Sequence, residues 1–152
     1  MLLRLRIAAA RSAGARHALE TYLLINRAAD LDVGLYRFLA SRHKLQLCSA
    51  EAGLAAQMTR ACFGQNMVAD SAVTFVWAAV PDRMTWRYSQ RGYRYLHLDA
   101  GHVCQNLYLA AEAVGCGVCA IGAFDDEAMD ALLGLDGREQ FTLYLAAVGK
   151  KR

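Results

Sequence analysis

The chain has 152 residues and a mass of 16.7 kDa, enough for one compact domain that buries about 70% of the surface its unfolded form exposes. Apolar residues make up 56%, charged residues 20%, and there is a single Pro, a balance that excludes a disordered or low-complexity chain. No run free of charged side chains exceeds 12 residues, too few to span a bilayer as a helix.

Taken in chain order, Met1 to Ala10 mixes leucines with Arg4 and Arg6, which break the apolar stretch a secretory leader needs. An acid-free, Arg-rich start also suits an organelle presequence, and we read instead a domain that begins at an internal position. Glu20 to Asn26 is a β-rich run ending in turn chemistry, and Gly34 to Phe38 with Lys44 to Leu47 reads as a hairpin. Leu54 to Phe63 has helical spacing, and Ser71 to Val80 is a near-continuous apolar run that predicts a strand buried on both faces. From Tyr93 to Val114 the residues Tyr93, Leu96, Ala100, Val103, Leu107, Ala110 and Val114 step by 3 and 4, the signature of a long helix with one apolar stripe. Gly115 and Gly117 stop it. Val118 to Ile121 is a short strand, Asp125 caps a helix that Gly134 ends, and Phe141 to Val148 is a second strand apolar on both faces. Strands of this kind mixed with helices predict an α+β sandwich around a covered sheet.

Charge and cysteines limit the functions open to this chain. Residues 1–17 hold Arg4, Arg6, Arg11 and Arg16 without an acid, and the tail ends Lys150-Lys151-Arg152. The two ends carry +7 against a total of +3, which leaves −4 for the body and argues against a nucleic-acid binder with a basic stripe. The ends either meet around a small phosphate or stand as two solvated tails. Five cysteines at irregular spacing, Cys48, Cys62, Cys104, Cys116 and Cys119, fit reduced thiols in a cytoplasm rather than a secreted disulfide framework.

Several small constellations carry potential chemistry. Asp99 and His102 sit at i and i+3 on the long helix, where they form either a general-base pair or, structurally, a satisfied polar network or part of a subunit seam. Gly101 weakens that helix and points to close approach of another backbone or a planar ligand. Cys116 and Cys119 form a lone CxxC with no second pair, so no metal site is expected and small core thiols are the reading. Ser12-Ala13-Gly14 is a small-residue loop before the first strand, and Ile121-Gly122-Ala123-Phe124 joins a strand to a capped helix with amides free to donate.

In order, Arg87-Tyr88-Ser89-Gln90-Arg91-Gly92-Tyr93-Arg94-Tyr95, Asp99-Ala100-Gly101-His102 and Gln105-Asn106-Leu107-Tyr108-Leu109-Ala110 resemble the nitroreductase superfamily, nearest its SagB-type dehydrogenase branch. The likeness continues through Ile121 to Asp126, Leu133 to Asp136 and Ala147-Val148-Gly149, and upstream through Ser12 to Tyr22. It implies a single nitroreductase-like FMN-binding domain over residues 1–152, with an α+β fold, a central mixed or antiparallel sheet flanked by helices, and a long core helix. It further implies a homodimer with FMN between subunits, and NAD(P)H as a possible electron donor. On this resemblance Ser12, Ala13 and Gly14 line the ring edge and Ile121, Gly122 and Ala123 bring backbone amides to its reactive side. Gln65 serves the pyrimidine edge, and Lys150 and Arg152 serve the phosphate. The family's first helix, its Pro before the Ser12 position (here Arg11) and the Lys of its Lys-Tyr pair (here Arg87) are missing. Arg stays protonated and is a poor base, which leaves Tyr88 as the acid or base with Arg87 beside it.

The expected function is therefore a cytoplasmic FMN-dependent oxidoreductase, acting without nucleic acid or membrane. It either reduces an organic acceptor or dehydrogenates a peptide azoline. The alternative is a non-catalytic dimeric module attached to a peptide-modifying enzyme.

Overall fold

A computed structural model describes residues 12–151. A 3-10 turn at Ala13–Ala15 leads into β1 (Leu19–Ile25), β2 (Gly34–Leu39), β3 (Lys44–Ser49), α1 (Leu54–Ala61), α2 (Met67–Asp70) and β4 (Val73–Ala79). Then follow α3 (Asp82–Tyr88), α4 (Gly92–Glu112), β5 (Cys116–Ile121), α5 (Asp126–Leu133) and β6 (Phe141–Lys150). The six strands form one sheet in the order β3-β2-β1-β4-β6-β5, with every neighbouring pair antiparallel.

The apolar runs of β1, β4 and β6 sit in the middle of that sheet because both of their faces must be covered. On one face Leu24, Val76, Ala78, Leu145 and Ile121 pack against Met58 and Ala61 of α1 and Met129 and Leu133 of α5. On the other, Leu23, Phe75, Trp77 and Ala146 pack against Cys104, Leu107 and Ala111 of α4. A smaller cluster of Ala18, Ala79, Met84 and Leu96 closes the end of the sheet where β1 begins and β4 ends.

The predicted strands and long helix are present. α4 ends at Glu112, so Val114 falls beyond it, and Tyr93 is exposed while Leu96, Ala100 and Leu107 are buried. Two helices escape a periodicity reading: α2 and α3 have 4 and 7 residues and bury one side chain each, Val68 and Met84. α5 follows the expected chemistry: Asp125 accepts the Ala128 N–H at 2.9 Å, and Gly134 ends the helix at φ 70°. Cys116 and Cys119 depart from the core-thiol reading. β5 is an edge strand, which leaves Cys119 exposed and Cys116 half-buried.

Leu24 is fully buried, whereas Leu47 on the edge strand β3 is half exposed. Leu24→Ala is expected to destabilise by about 2–5 kcal/mol through lost transfer energy and a residual cavity. Leu47→Ala should stay within about 0.5 kcal/mol of the parent, with urea denaturation as the check.

Candidate functional site

The loop before β1 is held in an unfavourable backbone conformation. Gly14, Ala15 and His17 have φ of 56°, 52° and 49°, a region that costs L-residues free energy and persists only where surroundings fix it. Three contacts fix it here. Asp99, buried on α4, accepts the Ala13 N–H with both carboxylate oxygens at 3.2 Å. The Ser12 hydroxyl accepts from the His17 N–H at 3.0 Å, and the Arg16 Nε donates to the Gly14 carbonyl at 2.7 Å. Tyr88, at the end of α3, closes over the loop. A Cβ placed on Gly14 would lie 2.4 Å from the Tyr88 hydroxyl oxygen, so only glycine fits there.

Asp99 therefore does not pair with His102, which is exposed; its hydrogen bonds go to the loop, a structural role rather than a general-base one. Tyr88 is half-buried, its ring edge-on to Tyr95 at 4.8 Å, and the exposed Arg87 lies over it with 5.7 Å from guanidinium carbon to ring centre. The structure thus gathers Ser12, Ala13, Gly14, Tyr88 and Arg87 in one place.

A second small-residue loop leaves β5 in the direction of the sheet end where β1 begins, four residues short of it along β6. Leu19 of β1 pairs with Ala79 of β4, Ala79 with Phe141 of β6, and Ile121 at the end of β5 with Leu145 of β6. Three strand intervals separate β1 from β5, or about 14 Å. Gly122 and Ala123 are exposed, and their N–H groups have no acceptor among the described residues. Only the Tyr144 ring, at 3.8 Å, lies within 4 Å of a Cβ built on Gly122. Gln65 steadies this loop from below: its amide nitrogen donates to the Cys62 carbonyl at 2.9 Å and to the Ala123 carbonyl at 2.8 Å. Sequence reasoning names Gln65 as a ligand contact but not as a brace, because a carbonyl 58 residues away leaves no local signal.

Lys150 is not brought to either loop. It ends β6 opposite Cys116, five residues and about 17 Å along the strand from Leu145. Arg152 lies outside the described residues. Exposed small loops with free donors suit the edge of a planar ring, so the residues present fit a flavin. Among the described residues no three His, Cys, Asp or Glu side chains converge as a metal site, and no helix is long and apolar enough to cross a membrane.

Burial pushes the Cys62 thiol up to about 11 and raises the Cys104 thiol. Because the folded state holds these protons more tightly, stability is full below the ordinary thiol range and falls as pH rises from about 9 toward 11. A urea midpoint that drops over that interval, and drops less in Cys62→Ala, is the expected result. Asp99→Ala should cost about 1–3 kcal/mol by orphaning the Ala13 N–H and speed its hydrogen exchange. His102→Ala should leave both nearly unchanged.

Comparisons with known proteins bear on the fold and the family. The model of the nitroreductase family matches residues 2–150. The nitroreductase-family protein MJ1384 of Methanocaldococcus jannaschii is 33% identical over 141 residues, covering 92% of this chain and 69% of its own. The trifolitoxin-processing protein TfxB of Rhizobium leguminosarum bv. trifolii is 26% identical over 129 residues, 82% of this chain and 35% of its own. A nitroreductase homologue from Anabaena variabilis superposes with a TM-score of 0.84 at 30% identity, over 92% of this chain and 28% of that one. Two structures share the fold at lower identity. The E. coli microcin synthetase McbBCD complex with truncated pro-MccB17 bound has a TM-score of 0.77 at 19% identity, over 95% of this chain and 56% of that one. The NADPH:FMN oxidoreductase of Vibrio harveyi complexed with NAD+ has 0.69 at 17%, over 97% and 56%. This chain thus spans about a third of TfxB and less than a third of the Anabaena protein. A match running through almost every residue, with a shared fold, leaves one conclusion: the chain belongs to the nitroreductase family.

Proposed function

We propose that this chain is an FMN-dependent oxidoreductase acting as a pair of identical subunits, of the SagB-type branch. The observation that carries this reading is the exposed Gly122–Ala123 loop, with two N–H groups unpartnered among the described residues, which leaves β5 toward the sheet end that holds the glycine-bearing loop under Tyr88. Backbone donors fixed in place stabilise charge on a ring without reorganising. FMN, when bound, supplies the two-electron hydride chemistry. Ser12, Ala13 and Gly14 would line the ring edge, with Ile121, Gly122 and Ala123 on its reactive side and Gln65 bracing them. Lys150 and Arg152 are the candidates for the phosphate end rather than the ring.

The Tyr88 hydroxyl is the group placed to hold or move a proton beside the Ser12–Gly14 loop. Arg87 cannot act as a base and instead provides a fixed positive charge. Pairing of subunits is supported by α4, where Leu98 and Leu109 are 52% and 62% exposed. Gly101 lies between them, and no other element among the described residues comes within 4 Å of a Cβ built on it. These residues share one face at helical spacing with His102 and Gln105, an exposed face left for a second copy. The substrate is either an organic acceptor reduced with NAD(P)H or a peptide azoline that is dehydrogenated. The similarity to a trifolitoxin-processing protein supports the peptide branch.

Purified protein is expected to take up one FMN per chain, read by flavin absorbance and fluorescence, and to lose that uptake in Gly122→Val. Tyr88→Phe should keep FMN yet slow NAD(P)H-driven reduction of a quinone or nitroaromatic by about 10²-fold, the ordinary weight of a general acid or base. A colourless protein that takes up no supplied FMN overturns the reading.

A further inference from the structure

One face of the molecule meets the flavin reading only at Arg87. On α3, Arg83, Trp86 and Arg87 stand at i, i+3 and i+4, so their side chains share one side of the helix. Trp86 is 67% exposed, an indole left in water while the other tryptophan, Trp77, is buried. The Arg16 guanidinium lies over that indole, 5.1 Å from its centre. Arg83 is already spoken for: it pairs with Glu20 at 2.6 Å and donates to the His17 carbonyl at 3.2 Å. Arg87, Arg91 and Arg94 are exposed and form no ion pair among the described residues. From Arg83 to Leu98 the chain holds four arginines and no acid.

An exposed aromatic flanked by unpaired guanidiniums is a recognisable kind of binding surface. The indole supplies apolar area that a partner can cover, and arginine forks match carboxylates with two parallel hydrogen bonds. We infer that the Trp86 face, bordered by Arg16 and Arg87 and continued by Arg91 and Arg94, docks an acidic segment of a peptide partner. The partner class rests on the peptide branch of the function proposed above; the surface itself does not. The face adjoins the Ser12–Gly14 loop through Arg16 and Tyr88, so a peptide held there has its neighbouring residues beside the proposed site. Its confinement to one corner favours a short acidic segment over a nucleic acid. α5 and the turn after it, on the sheet face opposite α4, expose Asp126, Glu127, Asp136 and Glu139, which repel a polyanion that tracks further.

The test uses the full chain and a short fluorescein-labelled peptide of Glu and Gly, with a Gln and Gly counterpart, read by anisotropy. The acidic peptide is expected to bind, to weaken as salt is raised, and to exceed the Gln peptide. Trp86→Ala, and the Arg91→Glu/Arg94→Glu pair, should each lose about tenfold in affinity, the equivalent of one good contact. If a variant fails to fold by circular dichroism, the wild-type emission decides, since with Trp77 buried a shift on adding the peptide belongs to Trp86. Equal binding of both peptides, no change in folded variants, no shift of Trp86 emission, or tighter capture of single-stranded RNA or phosphatidylserine vesicles overturns the inference. FMN uptake is measured on the same preparation. Docking without FMN defeats the flavin reading alone, and FMN without docking defeats this surface alone.

Discussion

A sheet whose central strands are apolar on both sides has to be covered twice, and that requirement organises the rest of this molecule. β1, β4 and β6 cannot leave either face to water, so α4 covers one side and α1 with α5 covers the other. The connections that carry the chain between these layers emerge at the ends of the sheet. One end collects the turn at Ala13–Ala15 and the end of α3, and the Gly122–Ala123 loop leaves β5 toward it. The candidate site is a consequence of where double coverage forces the chain to cross.

Precision at that end comes from groups spent on backbone. Asp99 is taken out of water to hold one N–H of the strained loop, and Gln65 uses its amide on two carbonyls. A buried carboxylate such as Asp99 is tolerated because it is satisfied, and directional hydrogen bonds of both kinds fix the loops they reach. The free N–H groups at Gly122 and Ala123 are the exception, left open on a loop otherwise tied down.

Much of the fold was legible. The strands of the sheet centre announce themselves as continuous apolar runs, and α4 as a 3-and-4 stripe, because each buries enough surface to leave a period. α2 and α3 did not, since one buried side chain apiece makes no pattern. The small-residue loops were legible as composition and as a family likeness, whereas the couplings that shape them were not. Asp99 looks like a partner for His102 until the fold brings Ala13 to it across 86 residues. Cys119 looks like a core thiol until β5 proves to be an edge. Each misreading concerns a contact distant in sequence, which periodicity does not encode.

The charge asymmetry takes a different form in three dimensions. The sequence places positive charge at the two ends, yet the arginines of α3 and the start of α4 form a basic corner of their own beside an exposed indole. Chemistry and partner selection can then occupy adjoining surfaces of one small domain.

The account turns on two loops meeting one flat ligand. Amide ¹⁵N–¹H spectra of the labelled protein, recorded while FMN is added, address it most directly. Concerted shifts of the Gly14, Gly122 and Ala123 resonances that saturate together are the predicted result. Spectra in which these three stay still while FMN is present in excess would contradict it.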